Sequence, residues 1–391
     1  MSDKELFLKY GCNPHQTSAR VCSKGGSFPI EVVNGAPGYI NLLDAVNSWQ
    51  LVRELNKALG SPAATSFKHV SPAGAAIAEP LSDELKKAYF VDKTELSPLA
   101  TAYARARGAD RMSSFGDWIA LSDTVDVSTA KLINREVSDG VIAPEFEPKA
   151  LEILRKKKGG KYAVLRIDAA YEPPIMETRE VFGIVFEQTR NNGVVSREKL
   201  GEIVTENKDL PDSAIRDMII AQITLKYTQS NSVCFAFGGQ VVGIGAGQQS
   251  RIHCTRLAAQ KTATWWLRQH PATLNLRFGK GVKRPDMNNA VDQFLRDDLT
   301  PAEEKVWRTL FNQVPTRLSK NDKDEWTREL KDIVLASDGF FPFRDNIDFA
   351  SQFGVKHVIQ PGGSIADKGI IEVCNEYDMV MLLSGLRLFH H

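Results

Sequence analysis

The chain has 391 residues, which predicts about two domains instead of one core. Apolar residues make up 42% of it and charged residues 25%, the composition of a soluble globular protein. Its 49 Lys and Arg are matched by 48 Asp and Glu, which excludes a large basic surface for nucleic acid but leaves room for a local phosphate pocket.

Neither the start of the chain nor its cysteines indicate export or a metal. Residues 1–8 lack the apolar core of a signal peptide, and no run approaches the roughly 18 apolar residues of a membrane span. The five cysteines are scattered, and none forms a Cys-x-x-Cys pair. We therefore expect reduced thiols, no structural zinc and a cytoplasmic protein that binds neither membrane nor nucleic acid.

Short helices and strands alternate through the first half. Apolar residues recur at helical spacing over residues 41–59, and a Gly-Ser-Pro run ends that helix. A strand over residues 63–67 then runs into Lys68, His69 and a Pro/Gly turn, a position at which α/β folds place their chemistry. The pattern predicts further elements in this half, namely strand 118–121, helix 130–137, strand 140–143 and strand 162–167.

The run 155–161 is basic and contains two glycines. Most charge runs are solvated, so we interpret it as an exposed turn before the following strand. A binding site for a polyanion is the alternative.

The alternation restarts in the second half, and we place the domain boundary near residues 190–200. Strands 232–237 and 240–244 are predicted to form a hairpin around Gly238 and Gly239. The other elements predicted here are helix 215–227, helix 250–269, a charged peripheral helical region 299–330, strand 355–360, helix 369–375 and strand 379–383.

Lys68 and His69 form the most pointed local feature. A neutral imidazole is a plausible base near neutral pH. A neighbouring ammonium group can stabilise negative charge that develops on a carbonyl oxygen. The dipeptide alone fits equally a surface lysine beside a histidine with ordinary hydrogen bonds.

A glycine-rich segment, residues 243–251, follows a predicted strand and opens a helix. Glycines there would let the backbone approach a ligand closely. The spacing is GxGxG and not the GxGxxG of a dinucleotide site, and no acidic residue follows an adjacent strand about 20 positions on. We reject a dinucleotide site and predict a tight strand-to-helix turn.

Three further features each allow two interpretations. In 227–232, Asn231 either recognises a ligand amide or hydroxyl group or belongs to the polar cap that ends a helix. In 340–345, aromatic side chains and a carboxylate either bind a flat heteroaromatic ring or form a core cluster with a surface ion pair. Asp338 with the hydroxyls of Thr228 and Ser230 could ligate a monovalent ion, although their spacing does not establish it.

Longer blocks of the sequence, taken together, resemble one family. They are long and stand in the family's order: 9–16, 66–74, 105–117, 138–140, 190–193, 226–233, 245–256 and 340–346. The chain is similar from about residue 8 to its end to the AICAR transformylase domain. In the family, that domain is the C-terminal part of a bifunctional purine biosynthesis protein that also carries IMP cyclohydrolase.

The resemblance implies an α/β fold of two related cytidine-deaminase-like units, which we place at residues 1–195 and 196–391. It also implies a homodimer whose active sites form at the subunit interface. The zinc signature of the deaminases is absent, so their metal chemistry is not expected. Only eight residues precede Lys9, so we expect a transformylase without cyclohydrolase activity.

Site residues follow from the resemblance position by position. Lys68 and His69 match the catalytic pair. The residues that match AICAR contacts are Lys9, Tyr10, Gly116, Asp139, Asn231, Arg251, Phe340 and Arg387. Those that match folate contacts are Ile252, Asp345, Ser364 and Ile365. Lys9 stands where many relatives have Arg, which removes a fork of donors, and Ile365 replaces a smaller residue. Thr228, Ser230 and Asp338 lie where some relatives bind potassium.

The implied reaction transfers a formyl group from 10-formyltetrahydrofolate to the 5-amino group of AICAR, giving FAICAR and tetrahydrofolate in late purine synthesis. No catalytic metal is implied. A zinc-independent nucleotide hydrolase and a non-catalytic AICAR-binding regulator are the rival functions. Folate dependence separates the transferase from the hydrolase, and turnover separates it from the regulator.

The chain ends in an apolar approach followed by two histidines, Leu386 to His391. This pattern predicts a tail that packs into the protein, with Arg387 directed inward at the phosphate or ribose of AICAR. A disordered tail with tag-like histidines is the alternative.

Overall fold

The computed structural model describes residues 5–23 and 28–391 and confirms an α/β architecture. In chain order, the strands β1 to β16 of this part are Glu5–Leu8, Ala19–Cys22, Ile30–Asn34, Ala63–Lys68, Ser71–Ile77, Asp117–Leu121, Ser138–Ala143, Ala163–Ile167, Met176–Val181, Ile184–Thr189, Glu202–Ile203, Val233–Phe237, Gln240–Gly245, Ile333–Ser337, Val355–Gln360 and Val380–Leu383. The helices α1 to α13 are Tyr39–Leu59, Asp83–Ala88, Pro98–Ala109, Val127–Arg135, Pro148–Lys156, Asp212–Lys226, Arg251–Leu267, Pro271–Leu274, Arg284–Leu295, Pro301–Arg308, Lys320–Thr327, Asp345–Ser351 and Asp367–Glu376. No helix of this part is both long and apolar enough to span a bilayer.

A single mixed sheet of 12 strands runs through the molecule. Its strand order is β11-β16-β15-β14-β12-β13-β5-β4-β6-β7-β8-β3. The hairpins β1–β2 and β9–β10 form two separate two-stranded sheets. The central pair, β5 and β13, joins strands of the first half to strands of the second.

The same supersecondary unit occurs twice. The first repeat is α1-β4-β5-α3-β6-α4-β7-α5-β8, with the short α2 inserted, and the second is α6-β12-β13-α7-β14-α12-β15-α13-β16, with α8 to α11 inserted. In each repeat the first two strands form an antiparallel hairpin and the third pairs antiparallel with the first. The fourth and fifth strands then add in parallel.

Both faces of the sheet are covered by helices, and each face has one apolar core that extends across both repeats. Helices α1 and α6 supply one core, with residues such as Leu51 and Ile220. Helices α3, α4, α5, α7, α12 and α13 cover the other face. A smaller cluster around Trp307 and Phe294 holds α9 to α11 together as a satellite. Because the repeats share both cores, they stabilise each other.

Most predicted elements are confirmed, with ends that differ by a few residues. The main error concerns residues 299–330, where one charged helical region was expected and two short helices, α10 and α11, are found. Each begins at its own hydroxyl cap, Thr300 and Ser319, so the chain restarts the helix instead of continuing it. The basic run 155–161 covers the end of α5 and the 3₁₀ turn that follows it, and it is exposed except for half-buried Lys157.

A glycine at the same position of each repeat lets a helix lie close to the sheet. A Cβ atom on Gly74 of β5 would lie 2.2 Å from the carbonyl oxygen of Ala106 in α3. A Cβ atom on Gly243 of β13 would lie 2.2 Å from the carbonyl oxygen of Ala258 in α7. Backbone cannot yield as a flexible side chain does, so both positions require glycine.

We therefore expect Gly74→Ala and Gly243→Ala each to lower the free energy of unfolding by about 1–3 kcal/mol. Gly369→Ala is the control, because Gly369 lies in α13 with open space around its Cβ position. That change should raise stability by about 0.5–1 kcal/mol through the better helix propensity of alanine. Urea unfolding measures all three, and a Gly74→Ala protein as stable as the parent would contradict the packing argument.

Candidate functional site

One edge of the large sheet collects most of the predicted site residues. The pairing directions bring the ends of β4, β13, β14, β15 and β16 to the same edge as the starts of β5, β6, β7 and β12. The predicted residues at or just beyond these strand ends are Lys68, Gly116, Asp139, Asn231, Arg251, Ile252, Phe340, Asp345, Ser364, Ile365 and Arg387. Lys9 and Tyr10 lie in the exposed loop between β1 and β2, which form a sheet of their own.

His69 occupies a two-residue hairpin turn between β4 and β5. Lys68 and Ser71 pair across the turn, so His69 and Val70 are its two central residues. Both have positive φ, 87° and 56° respectively. This conformation suits a type I′ turn but is unfavourable for a residue with a side chain, above all for a β-branched one. The turn presents the exposed His69 side chain at the edge of the sheet.

Asp44 of α1 holds this turn from below. Its carboxylate accepts hydrogen bonds from the backbone N–H of Val70 at 2.7 Å and of His69 at 3.2 Å. Burial raises the pKa of the Asp44 carboxyl above its usual value, although the N–H of Val70 and the nearby His69 act in the opposite direction. Sequence reasoning missed Asp44. The available signal was an acidic residue at the head of the buried stripe Ser48, Leu51 and Leu55.

Lys68 is directed at the loop that precedes β6. Its Nζ atom donates to the carbonyl oxygen of Phe115 at 2.6 Å and lies 4.0 Å from the Cβ position of Gly116. The structure therefore brings Lys68 and Gly116 together, as predicted. A buried hydrogen-bond network holds this loop in place. In it, the carboxylate of Asp117 accepts from Ser66 at 2.7 Å and from Arg107 at 2.6 Å.

Asp139 lies at the start of β7 and is exposed. Its carboxylate pairs with Lys158 of the basic turn at 2.8 Å. The neighbouring Lys157 is half-buried, donates to the carbonyl oxygen of Glu136 at 2.5 Å and lies over the ring of Tyr162. Burial lowers the pKa of Lys157 to about 8. Lys157 and Lys158 of the basic run thus both make contacts within the chain.

In the second repeat, Asp338 is the centre of the predicted site. It is fully buried and accepts from Ser230 Oγ at 2.6 Å and from Ser232 N at 3.0 Å. Arg251, also buried, pairs with Asp338 and donates to Asn231 Oδ1 at 2.9 Å. The structure thus brings Asn231 and Arg251 together, and Arg251 fixes the amide orientation of Asn231.

The residues expected at a potassium site already take part in hydrogen bonds and an ion pair within the chain. Ser230 and Asp338 bond each other, and the charge of Asp338 is compensated by Arg251. The hydroxyl of Thr228 donates to the carbonyl oxygen of Thr224 at 2.7 Å, within the last turn of α6. As placed, these groups bond one another instead of presenting a set of ligands to a cation. We therefore derive no step through potassium.

The C-terminal tail packs against this cluster, as the sequence predicted. Leu388 is fully buried and its N–H donates to the carbonyl oxygen of Asp338 at 2.9 Å. Ser230 and His390 exchange two hydrogen bonds of 3.0 Å, and burial lowers the pKa of His390. The direction of Arg387 toward AICAR stays a prediction. Leu388 takes the buried position of the tail, so Arg387 is exposed and lies 4.9 Å over the ring of Phe389.

The residues expected to contact folate lie along the same edge; Asp345 and Ile365 are exposed, whereas Ile252 and Ser364 are half-buried. Asp345 begins α12, and the loop after β15 carries Ser364 and the fully exposed Ile365. In the run 340–345, only Phe341 is in the core, while Phe340 is 45% exposed. Neither interpretation of that run is therefore complete, because one ring serves the core and the others face outward.

A cavity of about 350 Å³ opens beside the loop before β6, whose Phe115 carbonyl accepts from Lys68. Met112 and Phe115 of that loop form part of its apolar wall, and Arg135 and Arg284 add positive charge. Arg284 also lies 5.0 Å over the ring of Phe90. Sequence reasoning missed this cavity because α9, which supplies Arg284, is about 170 residues away from the loop in the chain.

The sequence of this chain is similar to a family model and to curated proteins. A family model described as AICARFT/IMPCHase bienzyme matches residues 1–261. A "Bifunctional purine biosynthesis protein PurH" of Magnetococcus marinus is 30% identical over 391 residues, which cover 98% of this chain and 59% of the relative. The protein of the same name in Clostridium acetobutylicum is 31% identical over 394 residues, covering 99% and 59%. The chain thus spans 59% of the length of these relatives.

Proposed function

The chain belongs to the AICARFT/IMPCHase bienzyme family, and we propose that it transfers a formyl group from 10-formyltetrahydrofolate to the 5-amino group of AICAR. The products are FAICAR and tetrahydrofolate, and the reaction belongs to purine synthesis. The observation that carries the proposal is the hairpin turn that presents His69 beside Lys68 at the ligand-accessible edge of the sheet. A spectrophotometric assay of tetrahydrofolate release that depends on AICAR tests it directly.

The proposed chemistry uses two groups of the turn. The 5-amino nitrogen of AICAR is a weak nucleophile because its lone pair is delocalised into the ring, so it needs a base as it attacks the formyl carbon. His69 accepts its proton. Lys68 stabilises the oxyanion of the tetrahedral intermediate. As the C–N10 bond breaks, N10 of the folate takes up the proton that His69 accepted from the amine. No step requires a metal ion.

The repeated order of strands and helices supports a more specific fold for the two repeats. We propose that the two repeats are cytidine-deaminase-like units, with residues 1–195 holding the first and 196–391 the second. The support is the shared order, in which the hairpin, the antiparallel third strand and the two parallel strands recur in the same sequence. The β9–β10 hairpin lies between the two repeats in the chain.

The length of the sheet edge supports a homodimer with shared active sites. Asp139 lies at β7 and Arg387 just beyond β16, which are eight strand positions apart in the sheet. At about 4.8 Å per strand this separation is on the order of 38 Å, several times the size of one nucleotide. One AICAR molecule cannot contact both Asp139 and Arg387 of the same chain. We therefore propose that the first-repeat group of one subunit and the second-repeat group of another form each site.

The cavity beside Phe115 suits part of the folate cosubstrate. Apolar walls accommodate an aminobenzoyl ring, and a guanidinium group such as that of Arg284 can bind a glutamate carboxylate. In a shared site, Ile252, Asp345, Ser364 and Ile365 of the second subunit would face this cavity. The folate would then lie between two chains, with its N10 end directed at Lys68.

His69→Ala tests the proposed base. We expect turnover to fall by roughly 10²- to 10⁴-fold, as for other lost general bases, while the Kd for AICAR by calorimetry stays within about tenfold. His270→Ala is the control, because His270 lies in the satellite against Trp326. A purified, folded His69→Ala enzyme with turnover close to that of the parent would remove His69 from the mechanism.

Arg284→Met tests the folate cavity. Loss of a charged hydrogen bond should raise the KM for 10-formyltetrahydrofolate about tenfold or more and leave the KM for AICAR nearly unchanged. Arg308→Met is the matched control, because Arg308 is exposed on α10 and pairs only with Glu304 among the ion pairs of the described residues. Equal changes in both KM values would contradict a folate-specific role.

Co-expression of Lys68→Ala and Arg387→Ala subunits tests the shared site. Each variant alone should be inactive or nearly so. Random pairing puts half of the chains into mixed dimers with one intact site of two, so about one quarter of the parent activity should return. Lys68→Ala with His69→Ala should restore none, since both changes lie in one group. A fully active monomer in sedimentation would exclude the arrangement.

A further inference from the structure

The second repeat contains a counterpart of the His69 turn. Its first two strands, β12 and β13, are joined by Gly238 and Gly239, with φ of 60° and 86°. These two residues therefore occupy the turn positions of His69 and Val70 and share their left-handed backbone conformation. The two turns differ in side chains and not in shape.

The anchor beneath the turn is repeated as well. Asp217 of α6 accepts from the N–H groups of Gly238 and Gly239 at 2.7 and 2.8 Å. Asp44 and Asp217 each stand five positions after the first residue of their helix, Tyr39 and Asp212. A carboxylate at this position is therefore part of the repeated unit and not an isolated contact of the first half.

The two copies depend on this carboxylate to different degrees. Glycine adopts positive φ without steric penalty, so the turn of Gly238 and Gly239 has the required shape from its own residues. A histidine followed by a valine resists that shape. The first turn therefore needs a stabilising contact from outside the turn, and Asp44 supplies it by accepting hydrogen bonds from the N–H groups of His69 and Val70.

We propose that Asp44 is a positioning residue that holds the His69–Val70 turn in its left-handed conformation and so fixes the direction of the catalytic imidazole. The inference rests on the proposed function. The unit retains glycine where no side chain is required and uses a carboxylate anchor where a catalytic side chain must occupy the turn. Asp44 itself does not touch the substrate.

Asp44→Asn tests the proposal with little change of shape. The amide keeps one acceptor, but its NH2 group replaces an oxygen that accepts from His69 N–H, so one bond is lost. We expect kcat to fall about tenfold to a hundredfold, as for small misplacements of catalytic groups, with the KM for AICAR within about threefold. A kcat within twofold of the parent would overturn the proposal.

Asp217→Asn is the matched control in the same chain. It makes the same change beneath a glycine turn, so kcat should stay within about twofold of the parent. If Asp217→Asn lowers kcat as much as Asp44→Asn does, the effect is general to the fold and the positioning role is wrong.

A rescue variant separates positioning from simple destabilisation. In Asp44→Asn/Val70→Gly, glycine takes up positive φ without the full anchor, and kcat should return to within about threefold of the parent. A folded double variant that stays as slow as Asp44→Asn would overturn the role in turn conformation.

A readout without turnover keeps this inference distinct from the proposed function. In ¹⁵N-valine-labelled protein, the Val70 amide should exchange with solvent at least about tenfold faster in Asp44→Asn than in the parent, since its strongest hydrogen bond is weakened. If the parent does not turn over AICAR, the proposed reaction fails, while unchanged Val70 exchange would defeat the anchor itself.

Discussion

The antiparallel contact between β5 and β13 determines where the rest of the site lies. Ala76 pairs with Gln240, and Ile77 N–H donates to the carbonyl oxygen of Gly239 at 3.0 Å. Arg105 of α3 stabilises the junction. It is buried, and its guanidinium group donates to the carbonyl oxygens of Glu79 in the first repeat and Gly238 in the second. These bonds make one sheet of two repeats, so that the edge bearing Lys68 continues into the edge bearing Asp338.

The continuous edge carries two groups of predicted site residues whose far ends, Asp139 and Arg387, are too widely separated for one small ligand to reach both. The groups are kept apart by rigid strands and by helices packed on both faces, so no rearrangement of a loop can bring Asp139 to Arg387. Association of two chains is the simplest way to complete a site of nucleotide size. The exposure of Phe340, Ile365 and Arg387, which are poor candidates for a free surface, fits that requirement.

Local pattern was enough to predict the elements but not their assembly. The helix over α1, the hairpin at Gly238 and the turn of 243–251 follow from periodicity and glycine placement, which act over a few residues. Gly243 and Gly245 allow the close approach of α7, in keeping with the predicted tight strand-to-helix turn. The junction of β5 with β13 could not be predicted, because pairing between strands more than 160 residues apart leaves no periodic signal.

The site residues show the same division. The resemblance supplied Lys68 and His69, and the structure places them on one turn, yet neither pattern nor resemblance pointed to Asp44. A buried carboxylate is recognisable as an anchor only when the N–H groups that it faces are known, and these lie 25 and 26 residues along the chain. Which residue of the tail is buried, Leu388 and not Arg387, could not be read from the pattern for a related reason. In an extended tail, alternate residues face opposite sides, and which one is buried depends on the surface it meets.

The group around Lys68 and the group around Asp338 also differ in how far apart in the chain their contacting residues lie. The Lys68 turn is a hairpin held by a helix 25 residues away, so its contacts close short loops at small entropic cost. Asp338 instead collects Arg251, Ser230 and the tail at Leu388, and Ser230 in turn bonds His390, 160 residues distant. The second group therefore requires that β12, β14 and the end of the chain are already docked. The Lys68 turn can take shape early and locally, whereas the group around Asp338 is completed only with the whole fold.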